Sequence, residues 1–439
     1  MDNVTHALAG LLLADATVSY VQRRIGRAVP SAIETPSLAR FRRAAVVLGI
    51  AAAEFPDVDL AYSGPMLAMG KLGYLLHHRG HTHTIVWALV SAVGLWAVAR
   101  WWWQRGFTGG ERADASSAVV TRVGARALLC VAVVGTLSHL LLDFTNSYGI
   151  HPFWPFDNRW FYGDAIFIIE PWLMVAAIPP LVWGQRSVVG RVLLLMVLAA
   201  ILALCWYGGD VSPPVAISVT VMAMLGLLLQ RAVAPGARAV TGIGAWIVVY
   251  AIFVLSSLES RTLVRAMVND GSLRDVVLTP AAADPRCFSA IVVTSTSSEY
   301  RVTTATVAPW SSIQSAAQCV AARTRSSRNS LGALPGVSRA VPISASSAVA
   351  WEETWAVPRA QFLALATIRC EFAAALRFMR TPMWSFDSSG TAVVFDARYG
   401  AGSGGFAALA IAKSADCALA GKWIPPWVPP RGDVLAPGN

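Results

Sequence analysis

Seven histidines fall between residues 6 and 151 of this 439-residue chain, and none follows. They are His6, His77, His78, His81, His83, His139 and His151, with Asp2, Asp57, Asp59 and Asp143 among them. Neutral imidazole and carboxylate are the usual donors to zinc and other divalent transition metals. In S-H-L-L-L-D, His139 and Asp143 stand at i and i+4 and share one helix face. Their run is otherwise apolar, and an ionisable side chain in such a setting is costly unless it faces a partner or a cavity. Metal ligation is the favoured reading of this pair, and a His–Asp cross-link between helices is the plainer one.

The other clusters extend this chemistry. In E-F-P-D-V-D, Pro56 ends a helix. Asp57 and Asp59 then either bridge two cations or divide into one ligand and one base. In H-H-R-G-H-T-H-T, His78 and His83 flank Gly80, which permits a tight turn, so a loop histidine and one at the next helix's start can converge on an ion. Arg79 cannot ligate a metal, but its planar fork suits phosphate or carboxylate. Asp2 and Thr5 precede His6 near a helix start. His151, Arg159 and Asp164 lie in an aromatic stretch that reads as an interfacial belt. Glu170, just before Pro171 in an apolar run, is either a buried ligand or general base, or a carboxylate reaching the interface.

What must hold these residues is a membrane bundle. The chain is 55% hydrophobic and 14% charged, against roughly 25% charged in soluble domains. A span needs about 20 mostly apolar residues. Runs at 84–103, 128–144, 165–183, 192–207, 215–229 and 240–258 qualify or nearly so, and 4–21 and 44–60 are weaker. His6 and Asp15 break the first run and no basic stretch precedes it, so it reads as a retained helix and not a cleaved signal. Arginines gather in 21–43, 104–127, 184–191 and 230–239. Placing those loops in the cytoplasm gives eight crossings and puts the histidine cluster and both chain ends on the outer side. The net charge of +10 is therefore topological. No basic stripe interleaved with aromatics suggests nucleic acid.

After Ser260 the long apolar runs stop. Residues 288–310 and 391–400 read as strands, 358–379 as an amphipathic helix, and the Pro-rich tail as extended. Cys130 and Cys205 lie in spans and read as buried apolar residues. Cys287, Cys319, Cys370 and Cys417 allow two disulfides in three connectivities if this region faces an oxidising compartment, or four thiols if it does not. The fold expected is a membrane all-α helical bundle of about six to eight membrane helices, residues 1–260, followed by a small extramembrane α+β domain, residues 261–439.

Four ordered motifs now stand on the page. They are D-x-x-T-H (Asp2, Thr5, His6), P-D-x-D (Pro56, Asp57, Asp59), H-R-G-x-T-H (His78, Arg79, Gly80, Thr82, His83) and S-H-x-x-x-D (Ser138, His139, Asp143), the last followed by H-P-F-W-P-F. Together they resemble the YdjM-type family, described as predicted membrane-bound metal-dependent hydrolases, some under DNA-damage control. The resemblance covers roughly residues 1–175, and His77 and His81 lie outside its pattern. More distantly, the H-x-x-x-D helix resembles that of zinc phospholipase C and S1-type nucleases.

The resemblance implies a metal site in a multi-pass protein of the bacterial cytoplasmic membrane. The metal ligands expected are His6, Asp57, His78, His83, His139 and Asp143, with Arg79, Asp59 and Glu170 as catalytic residues. The cofactor expected is one or two divalent ions, zinc first. The partners expected are the lipid bilayer and a lipid or phosphoester substrate, hydrolysed by water that the metal activates. A metal-ion or proton transporter, or a membrane-anchored envelope interaction protein, is the alternative. The later spans carry almost no charge and residues 261–439 hold no histidine, which favours the hydrolase.

Overall fold

The computed structural model describes all residues except 29–35, 64–68, 106–114, 323–330, 332–333, 341–345, 387–389, 401–403, 412–416, 418 and 437–439. The side chains of 27–28, 36–37 and 115–120 are likewise left out. Arg112, and the side chain of Arg27, from the arginine-rich loops thus lie outside the described residues.

The chain folds into two compact units, one made of residues 1–58, 82–143 and 168–251, the other of 59–81, 144–167 and 252–439. The helices, in order, are α1 (Asn3–Ala28), α2 (Pro36–Glu54), α3 (Leu60–Ser63), α4 (Gly70–His77), α5 (Ile85–Arg105), α6 (Ala115–Phe144), α7 (Pro171–Gly184), α8 (Val188–Tyr207), α9 (Pro213–Ala232) and α10 (Arg238–Met267). A 3-10 turn, Phe55–Asp59, links α2 to α3. Among the described residues six helices are long and apolar enough to cross a membrane: 3–26, 85–105, 121–144, 188–207, 213–232 and 238–267. An antiparallel sheet domain follows, so the chain is a helical membrane bundle with a small α+β domain.

In the first unit, small residues let helix backbones approach closely. A Cβ built on Gly10 of α1 would lie 2.2 Å from the carbonyl oxygen of Gly49 in α2. One on Gly135 of α6 would meet the Cβ of Ala52 at 2.8 Å. The beginning of α1 and the C-terminal halves of α2 and α6 are thereby drawn together. Val18, Val21, Phe41, Leu48, Trp103, Leu128 and Val131 fill the adjoining core. Leu193, Met196, Met222, Leu228 and Ile247 point outward, an apolar exterior that only lipid solvates.

Three expectations need correction. The span at 165–183 is a helix only over Pro171–Gly184, 14 residues, because Glu170 is extended before Pro171, as a residue preceding proline prefers to be. The amphipathic helix at 358–379 divides into Arg359–Ile368 and Cys370–Ala375, with Arg369 extended between them. Cys130 is exposed on the outer face of α6, whereas Cys205 is buried; a thiol is apolar enough for a lipid-facing position.

The second unit carries a five-stranded antiparallel sheet in the order β1-β2-β3-β5-β4 and a three-stranded sheet in the order β6-β7-β8. The strands are β1 (Leu273–Ala281), β2 (Asp284–Ser295), β3 (Glu299–Val307), β4 (Val337–Arg339), β5 (Val349–Pro358), β6 (Pro382–Phe386), β7 (Ala392–Asp396) and β8 (Leu409–Ile411). Alternate residues Ile291, Val293, Tyr300, Val302 and Trp355 turn to a core with Phe362, Phe372, Trp384 and Phe395. Residues 288–310 thus form most of a hairpin, β2–β3, closed where Thr296 Oγ1 accepts from the backbone N–H of Glu299. Cys287–Cys319 and Cys370–Cys417 are the disulfides. The tail is extended but pinned: the Trp427 indole donates to the Leu76 carbonyl at 2.7 Å, and the Val428 N–H to Asn158.

Candidate metal centre

Asp57, His83, His139 and Asp143 converge in the first unit, each offering one ligand atom, with all these atoms within 4.8 Å of one another. Each arrives by a local rule. Pro56 breaks α2, and the 3-10 turn carries Asp57. His83 precedes Thr84, whose hydroxyl accepts from the Trp87 N–H and caps α5. His139 and Asp143 are one helical turn apart on α6. His83, His139 and Asp143 are fully buried.

The separations constrain what can sit between them. His83 Nε2 lies 3.3 Å from Asp57 Oδ1 and 3.0 Å from Asp143 Oδ2. His139 Nε2 lies 3.5 Å from Asp57 Oδ1, 3.4 Å from Asp143 Oδ2 and 3.1 Å from His83 Nε2. Donors at about 2.0–2.1 Å around a tetrahedral ion stand about 3.3–3.4 Å apart. The five separations, 3.0–3.5 Å, bracket that length.

The proton positions agree. His139 Nδ1 donates to the carbonyl of Ala53 at 2.5 Å, so its neutral tautomer turns the Nε2 lone pair inward, as in metal-bound histidines. Asp57 Oδ1 is buried without a hydrogen bond among the described residues. Lone pairs that face one another in a buried site repel unless a cation, or protons on the imidazoles, lies among them. The donor set and its spacing fit a divalent ion.

His6 flanks this group. Its ring stacks on His139 with centroids 3.8 Å apart, and its Nε2 is 3.3 Å from Asp143 Oδ1, which also takes the Met1 amino group. Asp2 accepts from the Thr5 N–H and hydroxyl, at 3.0 and 2.6 Å, and so fixes the start of α1.

Other expected residues take different partners. In the second unit, Asp59 accepts from the Arg79 N–H and lies against His78 Nδ1, each at 2.9 Å. His78 and Asp59 also belong to a second group that could hold a metal ion. Arg79, and not Gly80, holds the left-handed backbone conformation (φ 59°); Gly80 is needed because a Cβ there would come within 2.9 Å of the His77 carbonyl and 3.0 Å of Trp427. Glu170 is buried and caps α7 by accepting from the Trp172 N–H, so it does not reach the interface. His77 and His81 pack against Trp423, and His151 stacks on Trp427. Burial, then the charge of His81, pushes His77 down to about 4. Asp164 is an ion-pair partner of Arg261 and Arg380, and Arg159 pairs with Asp157 at the surface.

Two groups that matter escaped the motifs. The Ala53 carbonyl orients His139, a backbone role that no residue type announces. Asn146 accepts from the Arg79 guanidinium at 3.0 Å; it stands three residues after Asp143 in a stretch otherwise conspicuous for aromatics.

Residues 1–211 match the family described as YdjM inner membrane protein. The match takes in all four motifs and agrees with the resemblance they carry, and residues 212–439 lie beyond it. No curated protein and no solved structure matches the chain. The YdjM match and the six apolar helices make this a membrane protein with a possible Asp/His metal site in its YdjM-like part.

Proposed function

We propose that the protein is a membrane-bound, metal-dependent hydrolase of phosphoesters or other esters of a membrane-associated substrate. The observation that carries this reading is the convergence of His83, His139, Asp57 and Asp143, whose ligand atoms lie within 4.8 Å of one another. Those four are the proposed ligands, and zinc is the ion their donor set suits best. Such an ion supplies a Lewis acid and activates water near neutral pH. The Ala53 carbonyl and His6 would hold His139 in place. Two disulfides support placing the C-terminal domain outside the cytoplasm, and the cytoplasmic membrane is the proposed location.

Elemental mass spectrometry on detergent-purified protein tests this. We expect about one equivalent of a transition metal in the wild type, lost in both His139→Ala and Asp143→Asn. Folded wild-type protein that takes up no metal would overturn the reading.

A further inference from the structure

We propose that the outer face of the five-stranded sheet carries a saccharide-binding cleft, in which Thr294, Thr303, Thr354 and Ser338 bond sugar hydroxyls and Trp351 packs against the sugar ring. The site lies wholly within the second unit and does not depend on the metal-dependent reading above.

The sheet has two unlike faces. Ile291, Val293, Tyr300, Val302 and Trp355 turn to the buried core. On the opposite face, Val264 and Val268 at the end of α10 pack against Val276, Leu278, Phe288 and Ala290. The helix stops at Met267, and the chain turns through Gly271, at φ 78°, into β1. Beyond that turn the face forms a cleft of about 330 Å³, lined near β1 by Val268, Asp270 and Ser272 and at β4 by residues 338–340. Ligand pockets span roughly 300–1,000 Å³, so this one suits a ligand of one or two sugar rings.

Strand register lays out the floor. Thr294, Arg301 and Ala356 stand opposite one another on β2, β3 and β5. Val292, Thr303, Thr354 and Ser338 do the same across β2, β3, β5 and β4. Cross-strand neighbours share a face, so hydroxyls dominate these two rows. Strand alternation assigns Arg339, next along β4, to the rim. Trp351, only partly buried, adds the aromatic wall.

The bonds already made decide the ligand. Arg301 is neutralised by Glu299 at 2.7 Å. The Asp270 carboxylate accepts from the Ser272 N–H and hydroxyl at 3.0 and 2.6 Å. Neither calls for an ionic ligand. The Thr303 and Thr354 hydroxyls share one bond at 2.9 Å, which leaves one proton of the pair to donate. Thr294 is half-buried and Ser338 exposed, and neither hydroxyl is hydrogen-bonded among the described residues. A hydroxyl both donates and accepts, as a sugar hydroxyl does, whereas an anion only accepts. The negative face of an aromatic ring attracts the C–H groups on one side of a pyranose, which gives Trp351 its part. Interleaved donors and acceptors, nearly balanced charge and an aromatic wall together fit a neutral, polyhydroxylated ring.

The lining residues fall between 268 and 356, whereas the YdjM match ends at 211. Saccharide binding gives this domain, which holds no histidine, a task of its own.

The test uses full-length protein in phosphatidylcholine nanodiscs, free of sugar-headed detergent. Saturation-transfer NMR is recorded with maltose, cellobiose and chitobiose. We expect transfer to at least one of them, strongest on the ring protons of one face. Thr294→Val keeps the shape and removes the hydroxyl, and should weaken binding about 3- to 10-fold. Ala356→Arg, which drives a long side chain into the cleft, should abolish it, with circular dichroism confirming that both variants fold. Tetrasaccharides of the bound sugar separate its sources. Tighter binding than the disaccharide supports a site for a polymer, and equal binding supports one for a free small sugar. No transfer to any sugar by folded wild type, or transfer unchanged in both variants, overturns the proposal. So does binding of citrate in place of the sugars, which would make the cleft an anion site.

Discussion

Both units bury charge, and they settle it in different ways. In the second, the Arg380 fork donates to both oxygens of Asp164 at 2.7 and 2.9 Å and both of Asp275 at 2.7 and 3.0 Å. Arg261 adds a bond to Asp164, and Arg431 a weaker one to Asp275. Each carboxylate meets a donor, as the geometry of guanidinium and carboxylate allows. In the first unit, two carboxylates and two imidazoles bring one ligand atom each within 4.8 Å of one another, a group that could hold a metal ion. A satisfied buried network is structural. One whose lone pairs converge is built around something else, and this distinction guides the assignment more than burial or charge count does.

The largest effect should come from breaking the satisfied network. Arg380→Ala leaves Asp164 and Asp275 buried without their main cation, which costs about 3–5 kcal/mol. Its unfolding midpoint in detergent should drop sharply, while the metal content per folded protein stays at the wild-type value. Asp57→Asn should do the reverse, emptying the centre while the chelated variant and the chelated wild type unfold at similar temperatures, since Asp57 Oδ1 holds no hydrogen bond among the described residues. If Arg380→Ala also lost its metal, the separation between the two clusters would fail.

A smaller effect follows from acid. Burial alone would raise the carboxyl of Asp275, but Arg380, then Arg431 and Arg261, outweigh it and hold Asp275 below the usual range. Arg398 does the same for Asp396. A folded-state value below the unfolded one contributes stability above the unfolded pKa, and that stability is lost as pH falls through the folded one. The unfolding midpoint of metal-free protein should therefore decline gently below about pH 6.5, where the depressed His77 must be protonated on unfolding, and more steeply below about pH 4 as these carboxylates take up protons. A midpoint whose slope does not steepen below about pH 4 would mean these carboxylates do not govern acid stability.

Much of this was legible beforehand, unevenly. The i, i+4 spacing of His139 and Asp143 implies a shared face on any helix, and Pro56 implies a turn that frees Asp57. Which loop histidine joins them was not legible. His77, His78, His81 and His83 look alike in the chain, and their directions depend on partners distant in sequence: Asp59 takes His78, and Trp423 takes His77 and His81. Glu170 misled for a related reason. Its neighbours have the hydropathy of a span, but the residue before a proline favours extended backbone, and the helix begins one residue later. In the sheet domain, the Val- and Thr-rich composition of 288–310 marked it as strand but not the turn that folds it into a hairpin, and the break of 358–379 at Arg369 carries no glycine or proline to announce it.

The smallest expected effect concerns how α5 begins. Thr84 Oγ1 accepts from the Trp87 N–H at 3.0 Å, so Thr84→Ala should cost about 1 kcal/mol. That loss alone would barely move the unfolding midpoint. But Thr84 follows His83 directly, and the cap sets where the helix starts and therefore where the preceding imidazole can point. A ligand held by a frayed turn spends binding energy on being ordered. Thr84→Ala should thus retain the metal yet release it to a competing chelator faster than wild type, whereas Thr84→Ser, which keeps the hydroxyl, should not. Equal release from all three proteins would mean that His83 is positioned by its neighbours in the cluster, Asp57, His139 and Asp143, and owes nothing to the cap.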